Sequence, residues 1–60
     1  MNRLYVNGLI WHLTTKTTIS QAVDECIALG VWDSGYTAEV ELCTESDTVL
    51  EYVPNYKHWR

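Results

Sequence analysis

Thr18-Ile19-Ser20-Gln21-Ala22-Val23-Asp24-Glu25-Cys26-Ile27-Ala28-Leu29-Gly30 decides the fold. Thr18 is a good N-cap residue, and Gln21 stands three positions on. That is the capping-box spacing, in which the hydroxyl accepts from the Gln21 amide and the Gln21 side chain reaches back. Ile19, Ala22, Val23, Cys26 and Ile27 recur at helical intervals and form one apolar stripe. Ser20, Gln21, Asp24 and Glu25 fall on the opposite side. Gly30 can take the left-handed conformation that closes a helix, with Val31 packing back on Cys26. About eleven helical residues are marginal alone in water, so the helix needs a sheet to cover.

Both flanks supply strands. Asn7-Gly8 is the strongest short hairpin signal, because both turn residues must take positive φ. A two-residue turn there pairs Val6 with Leu9, Tyr5 with Ile10, Leu4 with Trp11 and Arg3 with His12. One face then carries Leu4, Val6, Leu9, Trp11 and Leu13, which places Trp11 in the core. Thr14 to Thr17 connects this hairpin to the helix.

After the helix, Trp32-Asp33-Ser34-Gly35 reads as a turn cluster. Tyr36, Ala38, Val40 and Leu42 then alternate with Thr37, Glu39, Glu41 and Cys43. Glu45-Ser46-Asp47 reads as a second hairpin tip, and Thr48 to Val53 as the return strand. Pairing Thr44 with Thr48 sets Leu50 opposite Leu42, Tyr52 opposite Val40 and Glu51 opposite Glu41. Pro54 is expected to end that strand, since it cannot donate to a ladder. Residues 55–60 form an aromatic and basic tail, either frayed or docked.

The order is ββαββ. The simplest architecture is an α+β fold in one domain, residues 1–60: a four-stranded antiparallel sheet with one helix on one face. The other face would be partly apolar, through Tyr5, Ile10, Val49 and Val53. A chain of 60 residues is at the lower limit for a self-sufficient core. The pattern, a Thr18-led helix followed by the alternating strand from Tyr36, resembles that of small phage proteins that inhibit host enzymes. The resemblance implies an inhibitor-type binding protein and assigns no residue.

No apolar run reaches the length of a membrane span and no signal-peptide pattern opens the chain, so a cytoplasmic protein is expected. Its two cysteines, Cys26 and Cys43, are then expected to be reduced. Cys43, His12, His58, Ser34 and Asp33 could be combined into a nucleophilic set, but no spacing supports one. The same cysteines and histidines lack the close pairing of a zinc site. No catalytic, metal or cofactor residue is assigned, and an enzyme is not expected.

Charge is the least random feature. All eight acidic residues lie between Asp24 and Glu51, while Arg3, Lys16, Lys57 and Arg60 lie outside. The net charge is −4. Such a field attracts basic partners and repels nucleic acid, which also needs clustered Lys and Arg to bind. The candidate partner-binding residues are Glu39, Glu41, Glu51 and Glu45 on the second hairpin, Asp24 and Glu25 on the helix, and Trp32 if it is exposed.

These features favour a small acidic protein-binding module that docks on a basic site of another protein. Nucleic-acid-processing enzymes carry such grooves. One alternative is an assembly subunit, a homodimer or larger oligomer built through the second sheet face. Another is a nucleic-acid binder that uses the tail Tyr56-Lys57-His58-Trp59-Arg60.

Overall fold

The computed structural model describes residues 1–58. Four strands and one helix follow in the order β1 (Asn2–Val6), β2 (Leu9–Thr14), α1 (Ile19–Ala28), β3 (Thr37–Cys43) and β4 (Val49–Lys57). The strands form one antiparallel sheet in the order β2-β1-β3-β4. The fold is α+β, with α1 covering one face of the sheet.

Local chemistry sets the helix ends. Thr18 is extended, and its hydroxyl accepts from the Gln21 amide at 3.2 Å. The hydroxyl in turn donates to the Gln21 side-chain oxygen at 3.2 Å. At the other end Gly30 has φ +77°, its amide bonds Ile27 O, and the Val31 amide bonds Cys26 O. This paired closure satisfies two carbonyls that the last turn would leave open. Ile19, Ala22, Val23 and Cys26 are buried as the stripe predicts. They meet Leu4 and Val6 from β1 and Ala38, Val40 and Leu42 from β3.

Asn7 and Gly8 both have positive φ, 52° and 83°, and join β1 to β2 in the predicted turn. Nothing lies within 4 Å of a Cβ built on Gly8, so conformation alone restricts the site. Gly8→Val is expected to destabilise the fold by about 1 kcal/mol or more, because a β-branched residue resists that φ. A thermal melt unchanged by the substitution would contradict this.

Beyond the turn, the strand registers differ from expectation. Val6 pairs with Leu9 and Tyr5 with Ile10, but Leu4 then pairs with His12 rather than Trp11, and Arg3 with Leu13. One extra residue, Trp11, enters β2 as a bulge. An inserted residue exchanges the faces of everything beyond it. His12 and Thr14 therefore turn toward the helix, and Thr14 is only 1% exposed. Leu13 turns outward, and Trp11 is 45% exposed at the helix-side rim instead of filling the core. Its indole nitrogen donates to Val31 O at 3.0 Å. Leu9 stays at the rim, beyond the cover of the helix, and is exposed.

A second shift occurs in β4. Thr44 and Thr48 close the hairpin as predicted, with the Thr44 amide on Thr48 O at 2.9 Å. Cys43 then pairs with Val49, but Leu42 pairs with Glu51, Glu41 with Tyr52 and Val40 with Val53. Leu50 is the extra residue. Glu51 and Val53 consequently face the helix side, while Tyr52 faces outward. The Glu41–Glu51 repulsion does not arise.

Pro54 does not end the strand. A third irregularity lies opposite Glu39, and the ladder resumes with Ala38–Tyr56 and Thr37–Lys57. β4 is an edge strand, and a bulge on an edge tolerates a residue without an amide hydrogen. Of the tail, residues 55–57 belong to β4 and His58 is buried. Trp59 and Arg60 lie outside the described residues. No helix among the described residues is long and apolar enough to cross a membrane.

Candidate functional site

The sheet face away from α1 has no covering element among the described residues. One row across it runs Ile10, Tyr5, Glu41, Tyr52, each paired with the next across β2, β1, β3 and β4. Two positions from Glu41 on β3, Glu39 points to the same side. Tyr5, Glu39, Glu41 and Tyr52, with Gly8 at the rim, line a recess of about 260 Å³.

Glu39, Glu41 and Tyr52 are each held by a neighbour. The Tyr52 hydroxyl donates to Glu39 Oε2 at 2.9 Å, which raises the phenol's pKa. Asn7 docks the first turn on β3: its amide donates to Glu39 O at 2.8 Å, and its Oδ1 accepts from the Glu39 amide at 3.1 Å. The asparagine side chain thus extends the ladder by one step and fixes the backbone of Glu39. Glu41 Oε1 accepts from Cys43 Sγ at 3.2 Å. Burial first, and that bond second, push the Cys43 thiol up to about 11. It is a poor nucleophile at neutral pH. Cys26, raised by burial in the helix core, is equally inert. Both cysteines are free thiols.

The other carboxylates of the predicted site do not join this face. Glu51, turned over by the bulge at Leu50, accepts from the Ile19 amide at 2.7 Å and closes the first turn of α1. Glu25 accepts from His12 Nε2 at 3.0 Å and from the Thr14 hydroxyl at 2.5 Å. Asp24 meets His58 Nε2 at 2.8 Å. Glu45 pairs with the amino terminus, and Asp47 with Arg3 at 3.2 Å. Trp32 is 5% exposed and closes the core end, edge-on to Tyr36 at 5.3 Å and Tyr56 at 6.3 Å. It therefore offers no exposed anchor. Of the seven predicted residues, only Glu39 and Glu41 share a surface. Asn7, Tyr5 and Tyr52 complete it; Asn7 was legible only as a turn residue.

Two polar sets link helix and sheet. Thr14 and His12 both bond Glu25 rather than each other, so no hydroxyl there faces a ring nitrogen. In the second, His58 lies between Asp24 and the Tyr56 hydroxyl. Burial raises the Tyr56 phenol above its ordinary value, which disfavours an activated phenolate. Among the described residues, no three His, Cys, Asp or Glu converge to hold a metal ion.

The Glu25 contacts carry a pH dependence. The Thr14 hydroxyl, and then His12, hold its carboxyl below the ordinary value of 4.5. A carboxyl lowered in the folded state stabilises the protein above its unfolded value, and that contribution is lost as pH falls through the folded value. Melting temperature is thus expected to fall on acidification below pH 4.5. Glu25→Gln should be less stable at neutral pH and less sensitive to acid. Identical acid slopes for the two proteins would show that Glu25 adds nothing.

Chemically, two carboxylates between two phenol rings suit a cation. Carboxylates give charge-assisted hydrogen bonds to a guanidinium or ammonium, and ring faces attract its charge. No family model, curated protein or solved structure matches the chain.

Proposed function

We propose that this chain is a small non-enzymatic binding protein that docks its open sheet face on a basic site of another protein. Glu39 and Glu41 would receive an arginine or lysine of the partner, with Tyr5 and Tyr52 flanking its stem. The observation that carries this reading is the recess itself, where the two carboxylates lie between the two phenol rings. No Lys or Arg occurs from Thr17 to Tyr56, and the two cations that share this face, Arg3 opposite Cys43 and Lys57 opposite Thr37, flank the recess without lining it. Grooves that handle nucleic acid are rich in such basic residues, which makes nucleic-acid-processing proteins the natural target class and inhibition the natural outcome. Direct nucleic-acid binding would need more clustered positive charge than four basic residues provide.

The test is charge reversal. Glu39→Lys with Glu41→Lys should leave the fold intact: Glu39 is exposed and Glu41 half-buried on the open face, and the bonds lost, from the Tyr52 hydroxyl and the Cys43 thiol, contribute about 1 kcal/mol each. Partners captured by the wild-type protein and lost by the double variant are the candidates. For each, the association rate should fall about tenfold or more at low salt, and the difference should shrink as salt rises. Equal rates and affinities at low salt would exclude this face.

A further inference from the structure

The geometry points to a second use of the sheet, at the edge beyond the recess: β2 pairs antiparallel with β2 of a second copy. The dimer's two-fold axis passes between Trp11 and His12, and Ile10 of each copy sits opposite Leu13 of the other.

The two edges of the sheet are built differently. Both carry register shifts, one in β2 and two in β4, but β4 also carries Glu51, Pro54 and Lys57, devices that discourage pairing with another strand. β2, Leu-Ile-Trp-His-Leu-Thr, has neither proline nor a carboxylate, lysine or arginine. Leu9, Ile10, Trp11 and Leu13 are exposed along it, and Leu29 and Val31 beside it. These six are among eleven large exposed hydrophobics of the described residues, so more than half gather at one edge. An exposed apolar edge is a template for strand addition.

The bulge selects the partner and the register. In a regular strand, residues three apart point to opposite faces. With Trp11 inserted, Ile10 and Leu13 point to the same outer face, opposite Tyr5 and Arg3. Opposed residues of an antiparallel pair must share a face. Pairing two β2 strands so that Ile10 meets Leu13 satisfies this throughout: Trp11 meets His12 and Leu9 meets Thr14, all on the helix side. Moving the register by one residue either way breaks it.

The backbone agrees. The Asn7 amide bonds Glu39 O, so alternate residues Tyr5 and Arg3 also direct their backbone groups toward β3. Their β2 partners, Ile10 and Leu13, then direct N–H and C=O toward the open edge. In the dimer these two residues are the ones that would exchange bonds, about four in total. Two copies of Ile10 and Leu13 would close into one apolar cluster on the outer face.

A second copy fits by charge as well. The sheet's carboxylates lie on β3 and β4, at the opposite side from β2. A stable dimer typically buries about 800 Å² on each partner. That is roughly a fifth of the 3733 Å² exposed here. The six residues of β2 supply part of that area, and Leu29 and Val31 extend it, so a micromolar dimer is expected.

Sedimentation velocity from about 5 to 500 μM should show a concentration-dependent monomer–dimer equilibrium. Amide exchange at Ile10 and Leu13 should slow as the dimer forms. Ile10→Lys and Leu13→Glu are each placed at side chains already more than half exposed, and each alone should be monomeric with an unchanged far-UV spectrum. Mixed together, the two variants should recover a heterodimer, because the introduced ammonium then meets the introduced carboxylate. A wild-type chain that stays monomeric throughout overturns the proposal. So do single variants that dimerise like wild type, or a mixture that remains monomeric.

Discussion

Val23→Asp is expected to unfold most of the protein at room temperature. Val23 is fully buried, at the centre of the stripe that α1 presses onto β1 and β3. A carboxylate placed there has no partner. Its burial costs several kcal/mol, whether the group stays charged or takes up a proton. A domain of 60 residues has about 0.05–0.15 kcal/mol of stability per residue, so the loss is comparable to the whole. The neighbouring change Asp24→Ala should cost much less, about 1–2 kcal/mol, since Asp24 is more than half exposed and loses its bond to His58 Nε2. Circular-dichroism melts and urea titrations separate the two. Comparable losses would mean that the helix buries a different face.

Trp32→Ala should be nearly as damaging, at about 3–5 kcal/mol. Trp32 seals the end of the core, and its ring meets Tyr36 and Tyr56 edge to face. Trp32→Phe should cost far less than its loss of volume suggests. The indole nitrogen is buried without a hydrogen-bond partner among the described residues, so the native residue already carries a desolvation penalty that phenylalanine removes. Denaturant titrations of both variants test this. Equal destabilisation by Phe and Ala would show that the indole nitrogen has a role that the ring does not.

What could be read in advance follows a physical division. The helix, both its ends and the Asn7-Gly8 turn were legible because the residue that makes each feature sits within a few positions of it. Glu39 and Glu41 were placed on one face correctly because no bulge lies between them. His12, Leu13, Glu51, Tyr52 and Val53 lie on the side opposite to the one a regular alternation gives, because one inserted residue reverses all that follow, and Trp11, the inserted residue, keeps to the helix side but leaves the core. Nothing in Ile-Trp-His or Val-Leu-Glu marks an insertion; the need to bring Thr14 and Glu51 to the helix arises only once the sheet is assembled. Pro54 reads as a stop in the sequence, because its tolerance depends on β4 being an edge. The remaining carboxylates resembled a common charged surface in one dimension, but each found a separate partner: Glu25 with His12 and Thr14, Asp24 with His58, Glu45 with the amino terminus.

The bond from Glu51 to the Ile19 amide has a kinetic consequence. It joins positions 32 apart, whereas Thr18 and Gln21 cap the same turn from within. The local cap can form as soon as the helix does. The distant one must wait for the loop between to close and for β4 to pair with β3, steps that carry an entropic cost before they are rewarded. Contacts completed after the rate-limiting barrier leave the folding rate nearly unchanged and act on the rate of escape from the native state. Glu51 thus works as a latch: the chain closes at much the same speed without it, and opens sooner.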